Sequence, residues 1–194
     1  MTLQEVQPYA EELVTILSPA CEQIEIAGSI RRKKPEVKDI EILVRPILSV
    51  HEIALFGSTE EAPDALDDII RRTIGYGLLE WDTVTKRNGP KYKRFRLPKI
   101  DCAVDMFIVD ADNWGSQLAI RTGCWQFSKW FMTPVTVGGG MPAGLKHDGG
   151  YLWQNGEKLA CPTERMFFAT IWVDWYEPEE RTPELVEMLY RRTG

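Results

Sequence analysis

Apolar residues recur at helical spacing at the start of the chain. Leu3, Val6, Ala10, Leu13, Val14 and Leu17 mark one face of a helix, and Ser18-Pro19 ends it, because the residue before proline is pushed out of the helical region. Ile24-Glu25-Ile26-Ala27 then reads as a strand running into a sharp turn at Gly28-Ser29. Alternation followed by an apolar run predicts a second strand from Asp39 to Val44, stopped by Pro46. A helix is expected from Pro63 to about Ile74, with Leu66, Ile69 and Ile70 on its apolar face. Asn88-Gly89 is a strong hairpin signal. It separates a strand containing Leu79, Trp81 and Val84 from one running from Lys91 to Leu97, and a further strand is expected from Ile100 to Val109. Beyond Asp110, helical periodicity returns near Trp114–Arg121, Trp125–Met132 and Glu164–Trp175. Six of the seven tryptophans lie in this last stretch, which predicts a separate aromatic core. The expected architecture is α+β: residues 1–112 with a mixed sheet and helices, and 113–194 as a small α+β subdomain.

Composition narrows the function more than the fold. At 194 residues, with 44% hydrophobic and 27% charged residues, the chain has a soluble, globular profile. No run approaches the roughly 20 apolar residues of a membrane span, and Glu5, Glu11 and Glu12 interrupt any signal-peptide core. Cytoplasmic placement is expected, with no membrane partner. Cys21, Cys102, Cys124 and Cys161 are far apart and form no Cys-x-x-Cys pair, so free thiols are the expected state. The formal net charge is −6. Proteins that grip long duplexes depend on neutralising phosphates, so any nucleic acid is expected to be held locally and weakly, or with a protein partner supplying grip.

The chemistry concentrates in residues 28–44. Residues two apart on a strand share a face, so Asp39 and Glu41 project together and repel unless a positive charge sits between them. A magnesium ion suits such a pair, taking oxygen ligands and completing its shell with phosphates and water. Just upstream, Gly28 and Ser29 offer a small anion cradle. Arg31 and Arg32 add guanidinium groups that fork onto phosphate oxygens. Each half alone reads more simply as an exposed basic turn or a polar-faced edge strand. Together, at this spacing, they suit a nucleoside triphosphate whose phosphates bridge to metal.

The Gly-Ser-x-Arg-Arg run, with carboxylates eleven and thirteen residues after the glycine, resembles the palm of family X DNA polymerases, of which polymerase beta is the type. The family carries a third carboxylate on a neighbouring strand, followed by a Thr-Gly turn. Asp105 lies in an apolar strand with Thr122-Gly123 seventeen residues later; Asp101, of the same parity, fits that spacing less well. The tail, with Pro162-Thr163-Glu164-Arg165 and Glu177-Pro178-Glu179-Glu180-Arg181, resembles the family's nucleotide-binding thumb. The resemblance therefore spans nearly the whole chain and implies palm and thumb alone, without the lyase and helix-hairpin-helix modules.

What it implies is two-metal addition of a deoxynucleotide to a DNA 3′-hydroxyl, as in gap-filling repair. Two Mg²⁺ ions, or Mn²⁺, would be held by Asp39, Glu41 and Asp105, and the partners would be a nucleoside triphosphate and primer-template or gapped DNA. Gly28, Ser29, Arg32, Thr122, Gly123, Trp125 and Ser128 are the expected nucleotide-binding residues, with Trp125 either stacking on a base or filling a core. Lys91, Lys93, Arg94 and Lys129 are the expected nucleic-acid contacts, the first three on a hairpin that also reads as a charged edge guarding against aggregation.

Two departures from the family bear on the substrate. Glu41 stands where the polymerases have Asp, as in aminoglycoside nucleotidyltransferases of the wider superfamily. Ile120-Arg121 stands where they place a Tyr-Phe pair beside the sugar. A small-molecule, RNA or protein acceptor is the alternative, and a non-catalytic nucleotide-binding relative is the second.

Overall fold

In the computed structural model, residues 1–47, 50–53, 58–61 and 65–193 are described. In chain order the elements begin with α1 (Leu3–Leu17), β1 (Cys21–Ile26), α2 (Gly28–Arg31), β2 (Asp39–Pro46), β3 (Val50–Ile53), β4 (Ser58–Glu61) and α3 (Ala65–Gly75). β5 (Glu80–Trp81), β6 (Tyr92–Leu97), β7 (Cys102–Ile108), α4 (Trp114–Thr122) and α5 (Trp125–Met132) follow. The chain ends with β8 (Leu145–Asp148), β9 (Tyr151–Gln154), β10 (Glu157–Leu159), α6 (Glu164–Thr170) and α7 (Pro183–Thr193). None of the described helices is long and apolar enough to cross a membrane. All four cysteines are free.

Two compact units form. One comprises Gln4–Ile26 and Lys38–Ile108; the other comprises Met1–Leu3, Ala27–Val37 and Val109–Gly194.

The first unit is built on a five-stranded sheet of order β1-β2-β7-β6-β5. β2 and β7 run parallel, and the other pairs are antiparallel. Register sorts the side chains of the sheet into two faces. Ile24 and Ile26 of β1, Ile40 and Ile42 of β2, Val104 and Met106 of β7, and Phe95 of β6 share one face. α3 belongs to this face, since Lys93 of β6 reaches Asp67 of α3 at 3.2 Å. The other face carries Asp39, Glu41, Leu43, Asp105, Phe107, Tyr92 and Arg94. The predicted start of α3 at Pro63 lies outside the described residues.

The hairpin departs from its expected form. β5 holds only Glu80 and Trp81, and Val84, expected in a strand, is 88% exposed. Asp82 is the cause: its carboxylate accepts from the N–H groups of Val84 and Thr85 and from the Thr85 hydroxyl, folding the chain into a turn before the strand can lengthen. β7 also starts later than expected. Pro98–Ile100 is a 3₁₀ turn, and Asp101 sits at φ 53°, outside the strand.

The second unit packs an aromatic core of Phe127, Trp130, Phe131, Phe167 and Phe168, with Leu152, Val186 and Leu189. The ring of Phe131 meets those of Phe127, Phe167 and Phe168 edge-on, 4.3–5.2 Å between centroids. A separate three-stranded sheet of order β10-β9-β8 belongs to this unit. α6 ends at Thr170 rather than Trp175, because Trp172 takes a left-handed conformation (φ 58°) and turns the chain.

Beneath this core lies a buried ionic knot. Glu164 accepts from Arg31 through both oxygens at 2.9 and 2.6 Å, and from Arg181 at 2.7 Å. Arg181 is fully buried and lies 5.0 Å from the rings of both Phe168 and Trp175, and Arg31 also donates to the Thr122 hydroxyl at 2.8 Å. Two guanidinium groups share one carboxylate, and removing one partner of a buried pair costs about 3–5 kcal/mol. Glu164→Gln is expected to lower unfolding stability by about that amount in urea denaturation. A loss below about 1 kcal/mol would show that the knot behaves like an exposed ion pair.

Candidate functional site

The carboxylate face of the first unit follows directly from the parallel pairing of β2 and β7. Glu41 stands opposite Asp105, and Asp39 opposite Ala103. Partners on neighbouring strands sit about 4.7–4.9 Å apart and point the same way, so the three acids share one face. Asp39 and Glu41 are half-buried; Asp105 is buried, with 7% of its surface exposed. Asp101 is excluded from this group by its left-handed turn, and it pairs with Arg96 at 2.5 Å.

Asp105 is engaged on both oxygens. The Tyr92 hydroxyl donates to Oδ1 at 2.5 Å, and Arg94 Nη1 lies 3.2 Å from Oδ1 and 3.4 Å from Oδ2. Burial pushes the Tyr92 phenol above its usual range, and the hydrogen bond to Asp105 raises it further, so this side chain remains a donor at neutral pH. Arg94 also lies 3.8 Å from Asp82. Among the described residues, no three His, Cys, Asp or Glu side chains are gathered closely enough to hold a metal ion as they stand. The donor set nevertheless suits a hard cation: three carboxylates on one face, taken from adjacent strands. A metal ligated by Asp105 has to compete with Arg94.

Three of the expected nucleic-acid contacts lie in this unit, and the structure treats them differently. Lys91 is exposed. Lys93 is not on a solvent-facing patch. Its position in β6 turns it to the helix-covered side, where it is 8% exposed and held by Asp67 and by Asn88 at 3.1 Å. Arg94 is taken up by Asp105 and Asp82. The exposed cations of the turn are Lys86, Arg87 and Lys91. A cleft of about 290 Å³ beside them is lined by Trp81, Asp82, Thr83, Lys86, Arg87 and Asn88.

The second unit carries the expected nucleotide-binding residues. Ala27 is extended and Gly28 takes φ 63°, a left-handed step open to glycine, so the predicted turn continues into the short helix α2. The Ser29 hydroxyl is buried and has no hydrogen-bond partner among the described residues. A buried orphan hydroxyl is costly unless something accepts from it, and a phosphate oxygen would.

Arg32 donates from Nη1 to the carbonyls of Thr122 and Gly123 at 2.5 and 2.9 Å, which fixes its guanidinium plane. Thr122 is buried and contributes its hydroxyl and carbonyl to the two arginines. At Gly123 a Cβ would meet Phe127 at 2.8 Å, so the turn between α4 and α5 admits no side chain there. Trp125 opens α5 with 70% of its surface exposed, on the solvent side rather than in the core. Lys129, one turn on, is exposed as well. Ser128 spends its hydroxyl on the Ile120 carbonyl at 2.5 Å, a link between α4 and α5.

Sequence reasoning missed Tyr92 and Asp82, and it named Glu164 and Arg181 only within the tail segments, without their pairing. The parity of Tyr92 and Arg94 with Asp105 across β6 and β7 would reveal Tyr92, but only with the register known.

No family model and no curated protein matches this chain. Among solved structures, it is similar to the polymerase beta of Leishmania infantum, solved as a ternary P/T complex, with TM-score 0.66 and 16% identity. The likeness covers 94% of this chain and 77% of that one. At this identity the likeness speaks for the fold: this chain has a polymerase beta-like α+β architecture with a five-stranded mixed sheet.

Proposed function

We propose that the protein transfers a nucleotidyl group from a deoxynucleoside triphosphate to the 3′-hydroxyl of a DNA primer, releasing pyrophosphate. The observation that carries this reading is the β2–β7 register, which sets Asp39, Glu41 and Asp105 on one sheet face. The polymerase beta-like fold supports it, as does a structural neighbour solved as a ternary P/T complex.

In this reading Asp39 and Glu41 would hold two Mg²⁺ ions, with Asp105 a ligand of one of them. The ions supply charge stabilisation at the attacking and leaving oxygens. Asp105, buried on the acidic face opposite Glu41, would accept the hydroxyl proton. Ser29 donates its orphan hydroxyl to a phosphate oxygen, and Arg32, its plane already fixed by the Thr122 and Gly123 carbonyls, offers charge to the same group at little entropic cost. Trp125 offers an exposed indole for stacking, and Lys129 a cation beside it.

A second reading, transfer to an acceptor other than DNA, draws on the net charge of −6 and on the carboxylates that hold Lys93 and Arg94. It predicts nucleotide-dependent labelling of another acceptor with the same carboxylates.

The first test is primer extension on gapped DNA with labelled deoxynucleotides and Mg²⁺ or Mn²⁺. Asp105→Asn is the informative variant, because Asn keeps an acceptor for Tyr92 while removing the charge. It is expected to reduce incorporation on the order of 10³-fold and to melt close to the parent. Retained incorporation in the variant, or none in the parent, contradicts the reading.

The second test concerns the turn. Replacing Lys86, Arg87 and Lys91 with Ala is expected to flatten the log–log salt dependence of gapped-duplex binding by up to about 0.9 for each phosphate no longer neutralised, with nucleotide binding little changed. Fluorescence anisotropy at several salt concentrations reads the slope. An unchanged slope assigns the turn to surface charge alone and favours the second reading.

A further inference from the structure

Arg94 faces two carboxylates. Its Nη1 contacts Asp105 at 3.2 Å, and its Nε lies 3.8 Å from Asp82. The side chains of Arg94, Asp105 and Asp82 are 29%, 10% and 15% exposed, so water screens these contacts only in part. From this geometry we infer that Arg94 is a positioning residue exchanged between two seats: on Asp105 while the metal site is empty, and on Asp82 once a divalent cation occupies it. The inference rests on reading Asp39, Glu41 and Asp105 as metal ligands.

Without metal, three acids on one face repel one another, and Asp105 is the most buried of them. An unpaired buried carboxylate is costly, so Arg94 serves as its counter-ion. When a divalent cation arrives, the relation reverses, because the guanidinium and the ion are like charges competing for the same oxygens. Arg94 then has somewhere to go. Asp82 is held in place by the Thr85 hydroxyl and the Val84 and Thr85 amides, and the guanidinium already lies within reach of it. The move gives up the Asp105 contact and keeps the Asp82 one rather than expelling a half-buried charge into solvent.

Tyr92 steadies the exchange. Its hydroxyl holds Oδ1 of Asp105 at 2.5 Å, so the carboxylate keeps its orientation while Arg94 leaves. Its ring stacks on Phe107 at 5.2 Å, which fixes the phenol. Arg94 therefore opposes metal binding, and Asp82 favours it by offering the alternative partner.

Mn²⁺ binding to the substrate-free full chain, followed by the electron paramagnetic resonance signal of free Mn²⁺, measures this without catalysis. Arg94→Gln is expected to bind Mn²⁺ about tenfold more tightly than the parent. Asp82→Asn is expected to bind several-fold more weakly, since Arg94 is then left to Asp105. In the double variant the Asp82→Asn effect disappears, because the residue it acts through is gone.

Equal or weaker binding by Arg94→Gln overturns the inference, and so does an Asp82→Asn effect that persists without Arg94. If Arg94→Gln does not fold, the Asp82→Asn arm decides alone, and unchanged affinity there overturns it. Asp39→Asn separates the two levels. If the parent binds Mn²⁺ and Asp39→Asn abolishes it while the Arg94 and Asp82 variants change nothing, the exchange is wrong and the metal site stands. If neither the parent nor any variant binds Mn²⁺, the metal-site reading and the exchange fall together.

Discussion

Three acidic side chains share one face of a sheet, and the first unit is arranged around them. The parallel pairing of β2 with β7 creates this face by setting Glu41 opposite Asp105, with Asp39 two residues from Glu41. The antiparallel pairing of β6 with β7 answers it, because the same register that aligns Phe95 with the apolar face delivers Tyr92 and Arg94 to the acidic one. A sheet devoted only to stability would have apolar or neutral residues at these positions. The proposed cation site rests on these acids being retained together with a counter-charge.

The second unit applies the same physics with the opposite emphasis. Glu164 is enclosed by Arg31 and Arg181, and the pairing is more deeply buried than that of Arg94 with Asp105. Its effect is to tie residues 27–37 to α4 and α6 within that unit. Arg31 fixes the end of α2, Arg32 reaches the Thr122 and Gly123 carbonyls, and Ser29 is left with a buried hydroxyl and no acceptor among the described residues. In the proposed reading, rigid supporting contacts around an unsatisfied hydroxyl would preorganise it for binding.

The sequence disclosed this arrangement unevenly, for reasons that can be traced to single residues. Elements with strong periodicity and clear stops read well: β2 from Asp39, α4 from Trp114 and α5 from Trp125 to Met132 lie where the apolar pattern put them. The shared face of Asp39 and Glu41 follows from the period of a strand alone. Partnership across strands did not read, because it depends on register, and register near Asn88-Gly89 was set by Asp82 capping a longer turn. That is why Lys93 and Arg94 passed for surface cations and Tyr92 was overlooked. α6 stopped short of Trp175 because Trp172 adopts a left-handed conformation that its residue type disfavours. α7 carries Leu185, Val186 and Leu189 at helical spacing but is absent from the elements read in the sequence, whereas the short strands β8–β10 offer no alternation long enough to stand out.

The most direct measurement of the central claim is anomalous diffraction from crystals soaked with Mn²⁺ and a non-hydrolysable deoxynucleoside triphosphate. The account predicts two Mn²⁺ peaks about 3.5–4 Å apart, with ligands from Asp39, Glu41 and Asp105. Nucleotide density without anomalous peaks at these carboxylates, and with Arg94 still paired to Asp105, would contradict it.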